Sequence, residues 1–303
     1  MAPEPGVRFG ESTTPPDPAR SAVRRFLLWW MGHPANPYVC VNAAIDFAPA
    51  RAYIAALRTQ DAAPPVTVQH LLAAAIAQTY KKFPSINARI IGDRIRRIER
   101  VGIAMPVNLL GHQGGEAREL SMAVVEDLDQ MTLRQVAQAC TRTVKAERAG
   151  SAQNPLVRWL LPAVGALPLP LVFGGLHVVG AVSRHPLLAH RLFQLAPVTT
   201  ALTNPGAAFG QVPGMLFRGG SIAVPTRMGH VGSLWGVAPV QDEAVALDGQ
   251  VVVRPMLPVL YCFDHRLVDG VMAGRILVHF GRLLATPAAA FGADGNQLPV
   301  DPT

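Results

Sequence analysis

The chain has 303 residues, half of them hydrophobic and 16% charged, which excludes wholesale disorder and leaves enough apolar material for one large domain or two small ones. Its net charge of +7 rests on 27 basic side chains, of which only Lys81, Lys82 and Lys145 are lysines, and the arginines are scattered along the chain. That pattern argues against a nucleic-acid partner and suits an anionic, phosphate-bearing small molecule.

Taken in order, residues 1–20 hold five prolines with Ser, Thr and Gly and read as a disordered lead. Ser21 to Met31 reads as a short apolar helix. The run Arg24-Arg25-Phe26-Leu27-Leu28 has the look of a twin-arginine signal, but it ends at His33-Pro34 without a small-residue cleavage site, so the helix is preferred. Tyr38 to Asp46 is a predicted strand. From Thr67, the residues Val68, Leu71, Leu72, Ala75, Ile76, Tyr80 and Phe83 recur at helical spacing until Pro84 ends the run. Ala88 to Ile91 and Arg94 to Ile98 flank Gly92-Asp93 as a hairpin, and Val101, Ile103, Met105 and Val107 alternate as a further strand. Thr132 with Gln135 forms a capping box that opens a helix through Val144. Met256 to Phe263 reads as a buried strand and Val271 to Leu284 as a closing helix; residues 291–303 are expected to form a flexible tail. The whole is read as an α/β domain.

Two further features bear on environment. Cys40, Cys140 and Cys262 are widely spaced and lack any C-x-x-C pattern, which predicts a reducing compartment and no disulfide framework. Trp159 to Val182 is 24 residues without Asp, Glu, Lys or Arg, long enough for a bilayer core of about 30 Å. Pro162, Pro168 and Pro170, with Gly165, Gly174, Gly175 and Gly180, interrupt it. The expectation is therefore a broken apolar helix pair that is buried or rests on a membrane surface.

Chemistry concentrates at the end of the Met256 strand, in Asp264-His265-Arg266-Leu267-Val268-Asp269-Gly270. Histidine takes and returns a proton near neutral pH, so His265 is a candidate general base, with Gly270 expected to permit a sharp turn before the helix. The competing reading is a hydrogen-bonded His and Asp pair with a purely structural role. No Cys, His or Glu cluster stands near His265 to complete a metal site, and G-x-S-x-G, G-x-G-x-x-G and G-x-x-x-x-G-K-[ST] patterns are all missing from the sequence.

Arg254-Pro255-Met256-Leu257-Pro258 followed by this heptad resembles the active-site strand and turn of the 2-oxoacid dehydrogenase (dihydrolipoamide) acyltransferase catalytic-domain family, related to chloramphenicol acetyltransferase. Four more segments fall in the family's order: Val23-Arg24-Arg25 with Met31, Phe83-Pro84-Ser85-Ile86-Asn87-Ala88-Arg89, Glu126-Asp127-Leu128-Asp129 before Thr132-Leu133, and Ala201-Leu202-Thr203-Asn204-Pro205-Gly206. The likeness spans residues 20 to 290 with a gap near 150 to 198, so 21–290 is taken as the catalytic domain and about 150–198 as an apolar helical insertion.

The resemblance implies a chloramphenicol acetyltransferase-like two-layer sandwich of mixed β-sheet and helices. It also implies acyl transfer from a thioester, with coenzyme A thioester as substrate, to a thiol or hydroxyl acceptor that is a small molecule or a lipid. His265 would act as base and Thr203, where the family usually has Ser, as oxyanion donor; on local sequence alone, Thr203 bonding its own backbone in a turn is an equal reading. Asp269 would pair with Arg24 to fix the turn, and Asp264, Arg266 and Gly270 would support it without a chemical step. In the family, the active site lies in a channel between neighbouring subunits, which implies a homotrimer or a multiple. None of the three lysines stands in an Asp-Lys turn, so no lipoyl-lysine arm, no tightly bound cofactor and no metal are expected. A cytoplasmic location is expected, with peripheral contact at the inner membrane face through 159–182. The alternatives are a non-catalytic or lipid-binding assembly protein that retains the acyltransferase fold, or an acyltransferase subunit that uses lipoyl groups on a separate protein.

Overall fold

The computed structural model describes residues 36–60, 63–91, 94–108, 120–149, 167–182, 185, 188, 198–204, 215–222 and 230–301. The predicted lead, the Ser21 to Met31 helix and Arg24 lie outside them. Among the described residues are nine strands and six α-helices: β1 (Tyr38–Asp46), α1 (Ala48–Arg58), α2 (Val68–Lys82), β2 (Ala88–Ile91), β3 (Arg94–Arg97), β4 (Ile103–Asn108), β5 (Leu120–Val125), α3 (Leu133–Arg148), α4 (Leu169–Val182), β6 (Thr200–Thr203), β7 (Ser233–Val237), β8 (Gln241–Leu247), β9 (Gln250–Asp264), α5 (Gly270–Ala285) and α6 (Pro287–Phe291).

Strand β9 is the spine of a mixed sheet ordered β1-β9-β7-β6-β4-β5. Its first half pairs with β8, and its second half lies between β1 and β7. The turn joining β8 to β9 is Asp248-Gly249, with φ of 51° and 78°. Both residues adopt the left-handed conformation whose twist suits a two-residue hairpin. Parallel pairing of β4 with β6 and of β6 with β7 makes the sheet mixed. The small β2–β3 hairpin stands apart from it.

One sheet face carries the core. Leu257, Val259, Tyr261 and Phe263 alternate along β9 and, with Trp235 of β7, join Leu71, Leu72 and Ile76 of α2 and Phe280 of α5 in one buried cluster. The Trp235 ring lies 4.4 Å from Tyr261 and 4.7 Å from Phe280, so aromatic area seals sheet to helices. The predicted helix starts hold. Thr67 Oγ1 accepts from His70 N while His70 Nδ1 accepts from Thr67 N, and Thr132 with Gln135 forms the reciprocal pair on α3.

Differences from the sequence reading have local causes. Helix α1 follows Phe47, which cannot cap it; Asp46 Oδ1, one residue earlier, accepts from Ala48 N at the first helical position, so the usual start signal is missing. Of the segment expected as a flexible tail, 291–303, the described part is packed: Phe291 is buried, Val300 N donates to Ala290 O, and the carbonyls of Asp294 and Gly295 accept from Arg134 of α3. Near the end, Asp301 binds His279 of α5 at 2.9 Å and Lys82 of α2.

Of the apolar stretch 159–182, the described part is α4, which begins after Pro168. Leu171, Phe173 and Val178 on it are exposed and Val172 is buried. Among the described residues, no helix is long and apolar enough to cross a membrane.

Candidate active site

At the end of β9, Asp264 closes the strand and its backbone N–H donates to Gly232 O at 2.9 Å. Gly232 must lack a side chain there, because a Cβ would stand 2.3 Å from Ala88 O. The next residue, His265, donates its backbone N–H to Pro37 O at 2.8 Å, just ahead of β1. Its imidazole is half-buried, with Nδ1 fully enclosed and the ring 6.1 Å from Phe263 in an edge arrangement. A base presented at a strand end, anchored by its own backbone and partly open to solvent, is suited to taking a proton from a bound acceptor.

Asp264 organises the turn. Its carbonyl accepts from Leu267 N and Val268 N, and its Oδ1 accepts from Arg266 N at 2.9 Å. Arg266 also grips the carboxylate as a fork, Nε to Oδ1 at 2.9 Å and Nη2 to Oδ2 at 2.6 Å. His230, which lies outside every motif found in the sequence, adds a further contact from Nε2 to Oδ2 at 2.8 Å. Since Ile90 N donates to His230 Nδ1, the ring is the neutral tautomer with its proton on Nε2. Burial pushes His230 below the usual imidazole value, against the pull of Asp264. For Asp264, burial pushes upward, but the bonds and charges of His230 and Arg266 outweigh it and hold the carboxyl below the usual range. All three side chains are buried.

Asp269 caps α5: its Oδ1 accepts from Met272 N at 2.8 Å. The expected Arg24 partner is outside the described residues. Gly270 differs from its sequence reading. It is the first residue of α5, its φ is not left-handed, and a Cβ there would meet open space. The reversal comes instead from Asp264 and the Asp269 cap, so glycine is not required for it.

Thr203 ends β6 as a strand residue, not within a turn. Its register partner is Gly236 of β7, which in turn faces Leu260 of β9, five residues before His265. With a rise of about 3.3 Å per residue and strands about 4.8 Å apart, Thr203 and His265 of one chain are separated by roughly 17 Å along the sheet and about 10 Å across it. One copy does not bring them together.

Two other sequence matches are structural. Asn87 Nδ2 donates to Ile98 O at 2.8 Å and Arg100 O at 2.9 Å, its Oδ1 accepts from Thr199 Oγ1, and Arg89 reaches Val198 O. Asp129 is buried and accepts from Val101 N at 2.8 Å. Among the described residues, no group of three or more His, Cys, Asp or Glu is placed to hold a metal.

The model of the 2-oxoacid dehydrogenases acyltransferase (catalytic domain) family matches residues 21–155 and 221–292, more than half of the chain and inclusive of the His265 turn. The chain belongs to that family. Thr203 and α4 fall in the unmatched stretch between the two parts. Over 215 residues, 70% of this chain, it is 24% identical to the dihydrolipoyllysine-residue succinyltransferase component of the 2-oxoglutarate dehydrogenase complex of Bartonella vinsonii subsp. berkhoffii. The match takes in 38% of that relative's length. In fold it is similar to the dihydrolipoamide acetyltransferase of Azotobacter vinelandii (21% identity, TM-score 0.57, 88% of each chain), studied for the role of a serine, a histidine and an asparagine in its catalytic mechanism. Chloramphenicol acetyltransferase is similar at 12% identity and a TM-score of 0.50, covering 92% of this chain and 98% of that one. The expected α/β fold, a chloramphenicol acetyltransferase-like core of mixed sheet and helices, is thus the fold found.

Proposed function

We propose that this acyltransferase-family chain moves an acyl group from coenzyme A thioester to a thiol or hydroxyl acceptor, with His265 as general base and no acyl-enzyme. The carrying observation is the His265 turn: a half-buried imidazole on a backbone fixed by Pro37 and by the Asp264 carboxylate that Arg266 and His230 hold. Nε2 of His265 would take the acceptor's proton as the acceptor oxygen or sulfur attacks the thioester carbonyl. It would then return the proton to the departing thiolate. A thiol, with a pKa of about 8.5, lies about 2 units above an ordinary imidazole and is the easier acceptor. A hydroxyl requires proton removal in step with attack.

The oxyanion that forms needs a donor about 3 Å away. Thr203 of a neighbouring copy fits that role, because Thr203 of the same copy lies about 17 Å away along the sheet. By the family likeness, the neighbouring copy would belong to a homotrimer or a multiple of one. The projecting β8–β9 arm suits such an assembly: Val251 is 79% exposed and Val253 70%, apolar surface available to a second copy. Asp269 would hold the turn through its helix cap and, by the family likeness, through Arg24.

The name of the Bartonella relative favours a second reading of the acceptor, in which the acyl group is exchanged with a lipoyl group on a separate protein. Exposed Leu171, Phe173 and Val178 favour a lipid acceptor or peripheral membrane contact of an otherwise cytoplasmic protein. The experiment is to incubate the purified protein with a panel of acyl-CoA thioesters, alone and with dihydrolipoamide or lipid alcohols, and follow thiol release. Release that depends on an acceptor supports acyl transfer and identifies the acceptor class. Silence across the panel favours the non-catalytic class.

A further inference from the structure

Cys40 of β1 and Cys262 of β9 are direct register partners, and their sulfurs lie 2.7 Å apart. Neither thiol takes part in the acyl-transfer scheme. Tyr261 and Phe263 point into the main core, so Cys262 between them projects from the opposite face. There it meets Tyr38, Ile222, Val231 and Leu234. Cys262 is fully buried, whereas Cys40 is partly exposed on β1, the end strand of the sheet order.

We propose that Cys40 and Cys262 form a redox-active thiol pair, a modification site that closes to an intramolecular disulfide on reaction with a low-molecular-weight disulfide. This stands independently of the acyl-transfer reading. Cys40, the accessible partner, loses its proton to solvent and attacks one sulfur of the disulfide RSSR; a Cys40–SR bond forms, and RS⁻ leaves and is protonated. Cys262 then attacks the Cys40 sulfur, the bond to SR breaks, and the second RSH leaves with the Cys262 proton. The protein loses two protons and two electrons, and RSSR takes up both to give two thiols.

Geometry favours closure. Directly opposed strand residues have Cβ atoms about 4.5–5.5 Å apart, near the roughly 3.5–4.5 Å of a disulfide, so a small approach of β1 suffices. Burial pushes the Cys262 thiol up to about 12, with the Cys40 contact adding to it, which leaves Cys40 as the attacking group and Cys262 as the resolving one. The new bond would tie β1 to β9 two residues before Asp264 and three beyond Pro37, on both strands that position His265. Cys140 in α3 is an internal control: it is buried, and burial pushes its thiol up to about 12.

The full-length reduced protein is incubated with oxidised glutathione and read by intact mass, peptide mapping and thermal unfolding. The expected result is a mass lower by two hydrogens, a Cys40–Cys262 linked peptide, and a melting temperature raised by several degrees, all reversed by dithiothreitol. Cys140→Ser should behave as the parent, Cys40→Ser should give no linked product, and Cys262→Ser should trap glutathione on Cys40. If the parent protein retains glutathione on Cys40 with Cys262 still titratable, or keeps all three thiols free after prolonged incubation, the proposal is overturned.

Discussion

Asp264 anchors the His265 turn and has no chemical step in the proposed reaction. Its two oxygens accept from Arg266 N, the Arg266 guanidinium and His230, so a fully buried carboxylate has every main acceptor direction used. Removing one partner leaves the other charge buried, which typically costs about 3–5 kcal/mol. Arg266→Ala should therefore lower stability by about that amount in denaturant unfolding and reduce any acyl transfer with it. His230→Ala should cost less, about 1–3 kcal/mol, because a neutral donor is lost and Ile90 N–H loses its acceptor. Acid sensitivity follows from two buried histidines. Burial lowers His70 from 6.5 to about 4 and lowers His230 as well. The unfolded chain binds protons at these sites below about pH 6.5 while the folded protein does not, so stability falls as pH drops from about 6.5 towards 4, by up to about 1.4 kcal/mol per pH unit for each linked proton. Melting temperatures measured from pH 8 to 4.5 should show that decline, and His70→Gln should flatten it. A flat profile in the parent protein would contradict the neutral, buried assignment.

Elements with strong periodicity or chemical punctuation were legible in the sequence: β1 from its run, α2 from its apolar spacing and Pro84, α3 from the Thr132 and Gln135 box. Three kinds of element were not. Helix α1 lacks a side-chain cap, and β5 and β7 are six and five residues long and acquire their strand character from neighbours. The packing of residues 291–301 depends on contacts with α2, α3 and α5 that no local pattern encodes. At the site, the heptad marked His265 and Asp269, but His230 was invisible because it reaches Asp264 from 34 residues away and obeys no motif. Its only signal is a histidine two residues before a glycine that must approach Ala88 O closely. Two element-scale outcomes can be measured. Asp269→Ala should lose the α5 cap, about 1 kcal/mol of stability, and should also reduce activity by loosening the turn. Val251→Asp with Val253→Asp on the β8–β9 arm should leave the monomer folded by circular dichroism and shift light scattering towards the monomer. An unchanged assembly would separate the arm from any subunit contact.

At the scale of the molecule, sheet register holds the proposed base and the proposed oxyanion donor of one chain about 17 Å apart along the sheet, so catalysis by both requires more than one copy. His265→Ala should abolish transfer in a folded protein, since a methyl group carries no proton. Thr203→Ala should lower turnover by roughly 10²–10³ and Thr203→Ser should largely preserve it. The decisive measurement mixes the two defects. When His265→Ala and Thr203→Ala chains are denatured together in equal amounts and refolded as mixed assemblies, each shared site draws its histidine and threonine from different copies. About a quarter of those sites then hold both intact residues, so activity should recover to about a quarter of the parent value, far above either variant alone. Recovery no greater than half the activity of Thr203→Ala alone, in assemblies shown to be mixed, would contradict a site shared between copies.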